Sequence, residues 1–167
     1  PSNFSVYQEY SRAMIEIFKQ YTDKIQQFSI DECFLDLTQF MLEGETIENK
    51  AMQISKNIKE TLGFTVNIGI AHNKVLAKMA SDFEKPDKIH TLYENEISTK
   101  MWPLPVSELF MVGKRSIPKL EKMGIKTIGD LAKTDEKILT TLNFLSKVTD
   151  ITKQKEIYDD LVEVGLI

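Results

Sequence analysis

Two carboxylates, Asp31 and Glu32, stand side by side in the stretch QQFSIDECFLDLT, residues 26–38, whose isoleucine, phenylalanine and leucine residues suit a buried strand. Adjacent carboxylates repel each other and resist burial. In a continuous strand, neighbouring side chains point to opposite faces, so both acids reach one side only where the chain turns. The pair is therefore expected at the tip of a tight hairpin between strands over 24–30 and 33–38. Carboxylates at a strand end within an apolar frame are hard oxygen ligands suited to Mg²⁺, and a cation relieves their repulsion. Mg²⁺ takes few protein ligands and fills its shell with water and substrate phosphates. The chemistry such a pair supports is phosphoryl or nucleotidyl transfer. An exposed hairpin tip with two solvated acids carries the same dipeptide. Asp36 alternates with Ile30 and Phe34 and is read as structural.

The elements that must position the pair follow from periodicity. Ser5 to Gln8 has the pattern of a capping box, and Val6, Tyr10, Ala13, Met14, Ile17 and Tyr21 follow at helical spacing. After a polar stretch over 41–49, Ile47, Ala51, Ile54, Ile58 and Leu62 mark a second amphipathic helix that Gly63 ends. Residues 64–71 are short and apolar enough for a central strand. Asn73 opens a third helix whose narrow face of small residues suits close packing on a sheet, with Pro86 as its stop. Residues 89–93 suit a fourth strand. This order predicts an α+β fold, with helices packed on a mostly antiparallel sheet. Trp102-Pro-Leu-Pro-Val106 reads as a linker. Beyond it come short helices punctuated by Gly113, Gly124 and Gly129, with an N-cap pattern at Thr127. The tail from Thr134 is helical in character. The reading divides the chain into 1–103 and a small all-α domain, 104–167.

Among 167 residues, 42% are hydrophobic and 28% charged, which supports a core of ordinary size. No apolar run is long enough to span a bilayer. The one cysteine, Cys33, excludes an internal disulfide and fits a reducing, cytoplasmic setting. The net charge of −4 hides a pattern. Residues 111–133 hold six basic side chains against two acidic ones, whereas residues 1–60 hold ten acids against six bases. A basic patch beside a cation-loaded acidic site suits a polyanion, although uneven surface charge gives the same count.

The longer pattern resembles the Y family of translesion DNA polymerases, the DinB and UmuC (ImpB/MucB/SamB) type. Residues 29–38 resemble its catalytic hairpin, 6–21 the preceding helix, and 64–82 the next palm strand and helix. Lys85-Pro86 resembles its Lys-Pro element. Residues 104–109, the turn at Gly113 and residues 119–131 resemble its thumb, a helix–hairpin–helix. The resemblance implies a partial palm over 1–103 and a thumb over 104–167. It also implies two Mg²⁺ ions in the complete site, with Asp31 and Glu32 as catalytic ligands and Ser29 in support. Lys85 would bind the triphosphate of an incoming dNTP. Gly113, Lys114 and Arg115 would hold primer-template DNA by its phosphates. Lys74 and Lys78, one turn apart, could meet DNA but are read as a solvated helix face.

Several features depart from the family. Met111 stands where Gly-hydrophobic-Gly has its first glycine, His72 and Asn67 replace commoner residues, and Asp87-Lys88 stands where Asn-Gly is common. No segment matches the family's first metal-binding strand, its fingers or its little finger. The resemblance thus implies a fragment of an error-prone, DNA-repair polymerase that is inactive alone, with any sliding-clamp contact made by a missing C-terminal region. In a bacterium the parent would be cytoplasmic and nucleoid-associated. A non-catalytic DNA-binding remnant is a second reading. A palm-like nucleotide cyclase is a third, and it has no need of residues 104–131.

Overall fold

A computed structural model describes residues 4–141 and 161–166. The chain divides into two compact units. One is built from the chain up to Thr91 together with the strand over 161–166, and the other begins at Leu92.

The first unit is a five-stranded sheet with helices packed on it. Its elements are α1 (Phe4–Phe18), β1 (Ile25–Gln27), β2 (Glu32–Asp36), α2 (Ile47–Leu62), β3 (Val66–Ala71), α3 (Lys74–Ser81), β4 (Ile89–Thr91) and, from far along the chain, β5 (Leu161–Leu166). The spatial order is β1-β2-β5-β3-β4. All neighbours are antiparallel except β3 and β4, which run parallel. The expected helix and strand order through residue 91 is met. The strands are shorter than expected, and β2 begins at Glu32 rather than Cys33.

β5 is the main departure. Residues 161–166 form the middle strand of this sheet and not part of a helical domain. Gly165 lies opposite both Glu32 and Asn67, and Leu161 lies opposite both Asp36 and Ala71. Without this strand the pairs β1-β2 and β3-β4 would not be joined. The helical tail expected from Thr134 is met only by α6 (Glu136–Thr141), and residues 142–160 lie outside the described residues.

Local chemistry explains the helices. Met14, Ile17 and Phe18 bury one face of α1, while Val6, Tyr7 and Tyr10 nearer its start are exposed. Ser5 lies inside α1, not at its cap. The Thr46 side chain accepts the Asn49 N–H to cap α2, and Gly63 closes it at φ 79°. Asn73 caps α3 by accepting from the Leu76 N–H. α3 stops at Ser81, before Pro86, because the N–H groups of Asp82 and Phe83 bond back three residues to Met79 and Ala80. Gly69 of β3 sets how close α3 lies. A Cβ there would fall 1.9 Å from the carbonyl oxygen of Ala77 and 2.5 Å from the nitrogen of Ser81. Only glycine permits that approach.

The second unit packs α4 (Ile117–Lys122), α5 (Ile128–Lys133) and α6 around Val106, Leu120, Ile125, Leu131 and Leu139. Thr127 and Asp130 form the capping box of α5. Residues 92–103, read as the end of the first domain, belong here. The Trp102 and Leu104 carbonyls accept from the N–H groups of Gly129 and Ile128, which ties them to α5.

Candidate active site

The hairpin places both acids where the chain turns. Phe28 and Ser29 donate their N–H groups to the Glu32 carbonyl, which closes the tip around Ile30 and Asp31. Asp31 lies in the bend and Glu32 is the first residue of β2. The Ser29 hydroxyl donates to Asp31 Oδ1, so the serine fixes the first carboxylate. Cys33, Phe34 and Leu35 are buried and anchor the strand behind the pair. Asp36 is also buried. Its carboxylate accepts from the Thr38 N–H and faces Lys24 Nζ at 3.4 Å, a structural role as expected.

α3 supplies the other half of the site. Lys78 is not on a solvated face: its side chain is 9% exposed. Its Nζ lies 2.8 Å from Glu32 Oε1 and 2.9 Å from Asp82 Oδ2. Asp82 Oδ1 in turn lies 2.8 Å from Lys85 Nζ. The result is an alternating row of charges, Glu32, Lys78, Asp82 and Lys85. Burial pushes the Asp82 carboxyl up, but hydrogen bonds from Lys85 and Lys78 outweigh it and hold the group below the usual carboxylate range. Sequence reasoning missed Asp82 and misplaced Lys78. Their helical spacing of four residues was the available signal.

The donor set fits a hard divalent cation. Asp31 and Glu32 offer carboxylate oxygens, and Glu32, 23% exposed, already stands beside one cationic group. Among the described residues no three His, Cys, Asp or Glu side chains are grouped closely enough to hold a metal ion by themselves.

In the second unit, the turn before α4 holds Gly113, Lys114 and Arg115. The Gly113 carbonyl accepts from the Ser116 N–H. The N–H groups of Gly113, Lys114 and Arg115 make no hydrogen bond within the described residues. A Cβ at Gly113 would meet nothing within 4 Å, so this backbone is open. Met111 adopts φ 72°, the left-handed conformation that glycine takes most readily, at the position where the family pattern has its first glycine.

The fold and the hairpin together match the form of a polymerase palm of the Y family. Residues 1–82 match the family model described as impB/mucB/samB. Its relatives make the likeness more particular. The chain is 52% identical over 139 residues to DNA polymerase IV of Clostridium acetobutylicum, a match covering 83% of this chain and 35% of that protein. It is 43% identical over 142 residues to DNA polymerase IV 1 of Bacillus subtilis, covering 85% and 34%. The chain therefore spans about a third of the length of these curated relatives. DinB from Sulfolobus solfataricus superposes with a TM-score of 0.77 at 28% identity, over 92% of this chain and 45% of that one. Dbh DNA polymerase, solved as an insertion ternary complex, superposes at 0.78 with the same identity and coverage. No helix among the described residues is long and apolar enough to cross a membrane.

Proposed function

We propose that this chain is the palm and thumb portion of an error-prone DNA-directed DNA polymerase that acts in translesion synthesis. One observation carries the reading. The Asp31-Glu32 pair sits at a hairpin tip beside Lys78, Asp82 and Lys85, in a chain that closely matches DNA polymerase IV. The matches extend past the palm into the helical unit, which disfavours a nucleotide cyclase.

In this reading Asp31 and Glu32 hold Mg²⁺, with a second ion in the complete site and further ligands from the rest of the parent protein. The ions would supply charge stabilisation on the transferring phosphoryl group and the leaving pyrophosphate. Ser29 keeps the Asp31 carboxylate oriented through its hydrogen bond. Lys85, held by Asp82 and 47% exposed, reaches the triphosphate of the incoming dNTP as a point charge. Primer-template DNA is held at the turn over Gly113, Lys114 and Arg115 through its phosphates, without sequence readout. The parent works in the cytoplasm, and a sliding clamp would be met by a region outside this chain.

Primer extension by the full-length parent is the test. Asp31→Ala is expected to reduce extension to background, and Glu32→Ala to impair it severely. This chain alone, whose described residues offer the cation Asp31 and Glu32 while Asp82 is held between Lys78 and Lys85, is expected not to extend. Undiminished extension by the Asp31→Ala parent would overturn the assignment.

A further inference from the structure

The Glu32–Lys78 ion pair is unexpected at a site read as binding a divalent cation. We propose that Lys78 is the built-in counter-ion of the site: it holds Glu32 while no divalent cation is bound, and the cation takes Glu32 by displacing it. This rests on the metal-site reading above and adds a residue to it.

Three observations carry the inference. First, the Lys78 side chain is 9% exposed, and a buried ammonium requires carboxylate partners. Two of its partners are Glu32 and Asp82, at 2.8 and 2.9 Å. Second, for Lys78 to retreat with its helix, α3 would have to give up its close packing on β3 at Gly69. The exchange therefore happens at Glu32, on the strand end next to Asp31 and the hairpin tip, and not at Asp82, which follows Lys78 along the same stretch of chain. Third, the exchange leaves no charge alone. When a cation binds Glu32, Lys78 keeps Asp82, four residues on along its own chain. A divalent ion carries more charge than the ammonium and can accept Asp31 as well. In forming its bond to Glu32, it must break the existing pair, so Lys78 weakens cation binding. A second consequence follows along the row of charges. Asp82 now serves Lys78 more fully and holds Lys85 less firmly, so Lys85 becomes available to an anionic phosphate once the cation is in place.

The test is Mn²⁺ binding to the 167-residue chain, read from the electron paramagnetic resonance signal of the free ion. Lys78→Met keeps the unbranched stem of the side chain and removes the ammonium. It is expected to bind Mn²⁺ about fivefold or more tightly than the unmodified chain, the size of an ordinary coupling between two sites. Glu32→Gln is expected to lose this binding. A merely structural lysine would give the opposite sign, since its removal loosens the site. Equal or weaker binding by a folded Lys78→Met chain overturns the role of Lys78 and leaves the metal site standing. No binding in either form overturns both. A second measurement needs no destabilising change. The side-chain ammonium resonance of Lys78 in ¹⁵N-lysine-labelled protein, assigned with Lys78→Arg, is expected to shift as Mg²⁺ is added. A resonance unmoved while Mg²⁺ binds at Glu32 refutes displacement.

Discussion

Replacing Gly69 with alanine tests the contact that seats the site. The added Cβ would fall 1.9 Å from the Ala77 carbonyl oxygen and 2.5 Å from the Ser81 nitrogen, against an ordinary contact of at least 3.4 Å. Both obstructing atoms are backbone, so no side-chain rotation relieves the clash. α3 must withdraw from β3 by about 1 Å or more, with loss of packing around Leu76, Ala77 and Ala80. Overpacking a close-packed interior costs about 1–3 kcal/mol, and a rigid obstruction belongs at the upper end. A unit of about 100 residues loses 4–8 °C of thermal midpoint per kcal/mol, so a loss of about 12–24 °C is expected. Withdrawal also carries Lys78 away from Glu32, and Asp82 and Lys85 move with it. Thermal unfolding followed by circular dichroism reads the first effect. Gly129→Ala is the internal comparison. Its Cβ would lie 3.0 Å from the Trp102 Cβ and 3.2 Å from the Trp102 carbonyl oxygen, a milder conflict with a smaller expected loss. A Gly69→Ala protein that melts within about 2 °C of the unmodified chain, a shift worth well under 1 kcal/mol, would refute the close-approach argument.

Met111→Gly should raise the thermal midpoint of the second unit, because the left-handed conformation at φ 72° costs a side chain about 1–2 kcal/mol that glycine avoids. Its greater unfolded-chain entropy offsets part of this, so a gain of under about 1 kcal/mol is expected, and a lower midpoint would contradict it. Asp82 has a folded pKa below its unfolded value, so its stabilising contribution is present above the unfolded pKa and is lost as pH falls through the folded one. Asp82→Asn should therefore weaken stability at neutral pH and flatten the fall in stability below about pH 4, as read by urea unfolding across that range. Reversing Lys114 and Arg115 to glutamate should lower duplex DNA affinity similarly for unrelated sequences. It should also flatten the salt dependence, which is about −0.9 in log–log slope per phosphate neutralised. Strong preference for one sequence, or no change on reversal, would remove the turn from the DNA interface.

The legible parts of the site were those encoded locally. Asp31 and Glu32 interrupt an apolar run, and two like charges can leave a strand only at its turn. The small face of α3 likewise announced close packing, which Gly69 makes possible. Lys78 was illegible for the converse reason. One turn from Lys74, it has the spacing of a solvated face, and only the strand end carrying Glu32 turns that position inward. β5 was illegible because its partners lie about a hundred residues or more away in sequence, whereas periodicity carries no information on pairing at that distance. Met111 could be flagged as a departure at a glycine position, but only the backbone geometry reveals that it takes the left-handed conformation.

The position of β5 imposes an order on biosynthesis. The hairpin β1-β2 and the unit β3-α3-β4 can each assemble from neighbouring residues as they leave the ribosome. The strand that joins them is made only after the whole helical unit, which is thus inserted within the first one. Until residue 166 has emerged, β2 and β3 each present an unpaired edge of largely buried residues. Such edges are sites of intermolecular pairing. A nascent chain stalled anywhere between residues 92 and 160 would therefore carry the acidic hairpin on a half-sheet, exposed to aggregation and to capture by chaperones.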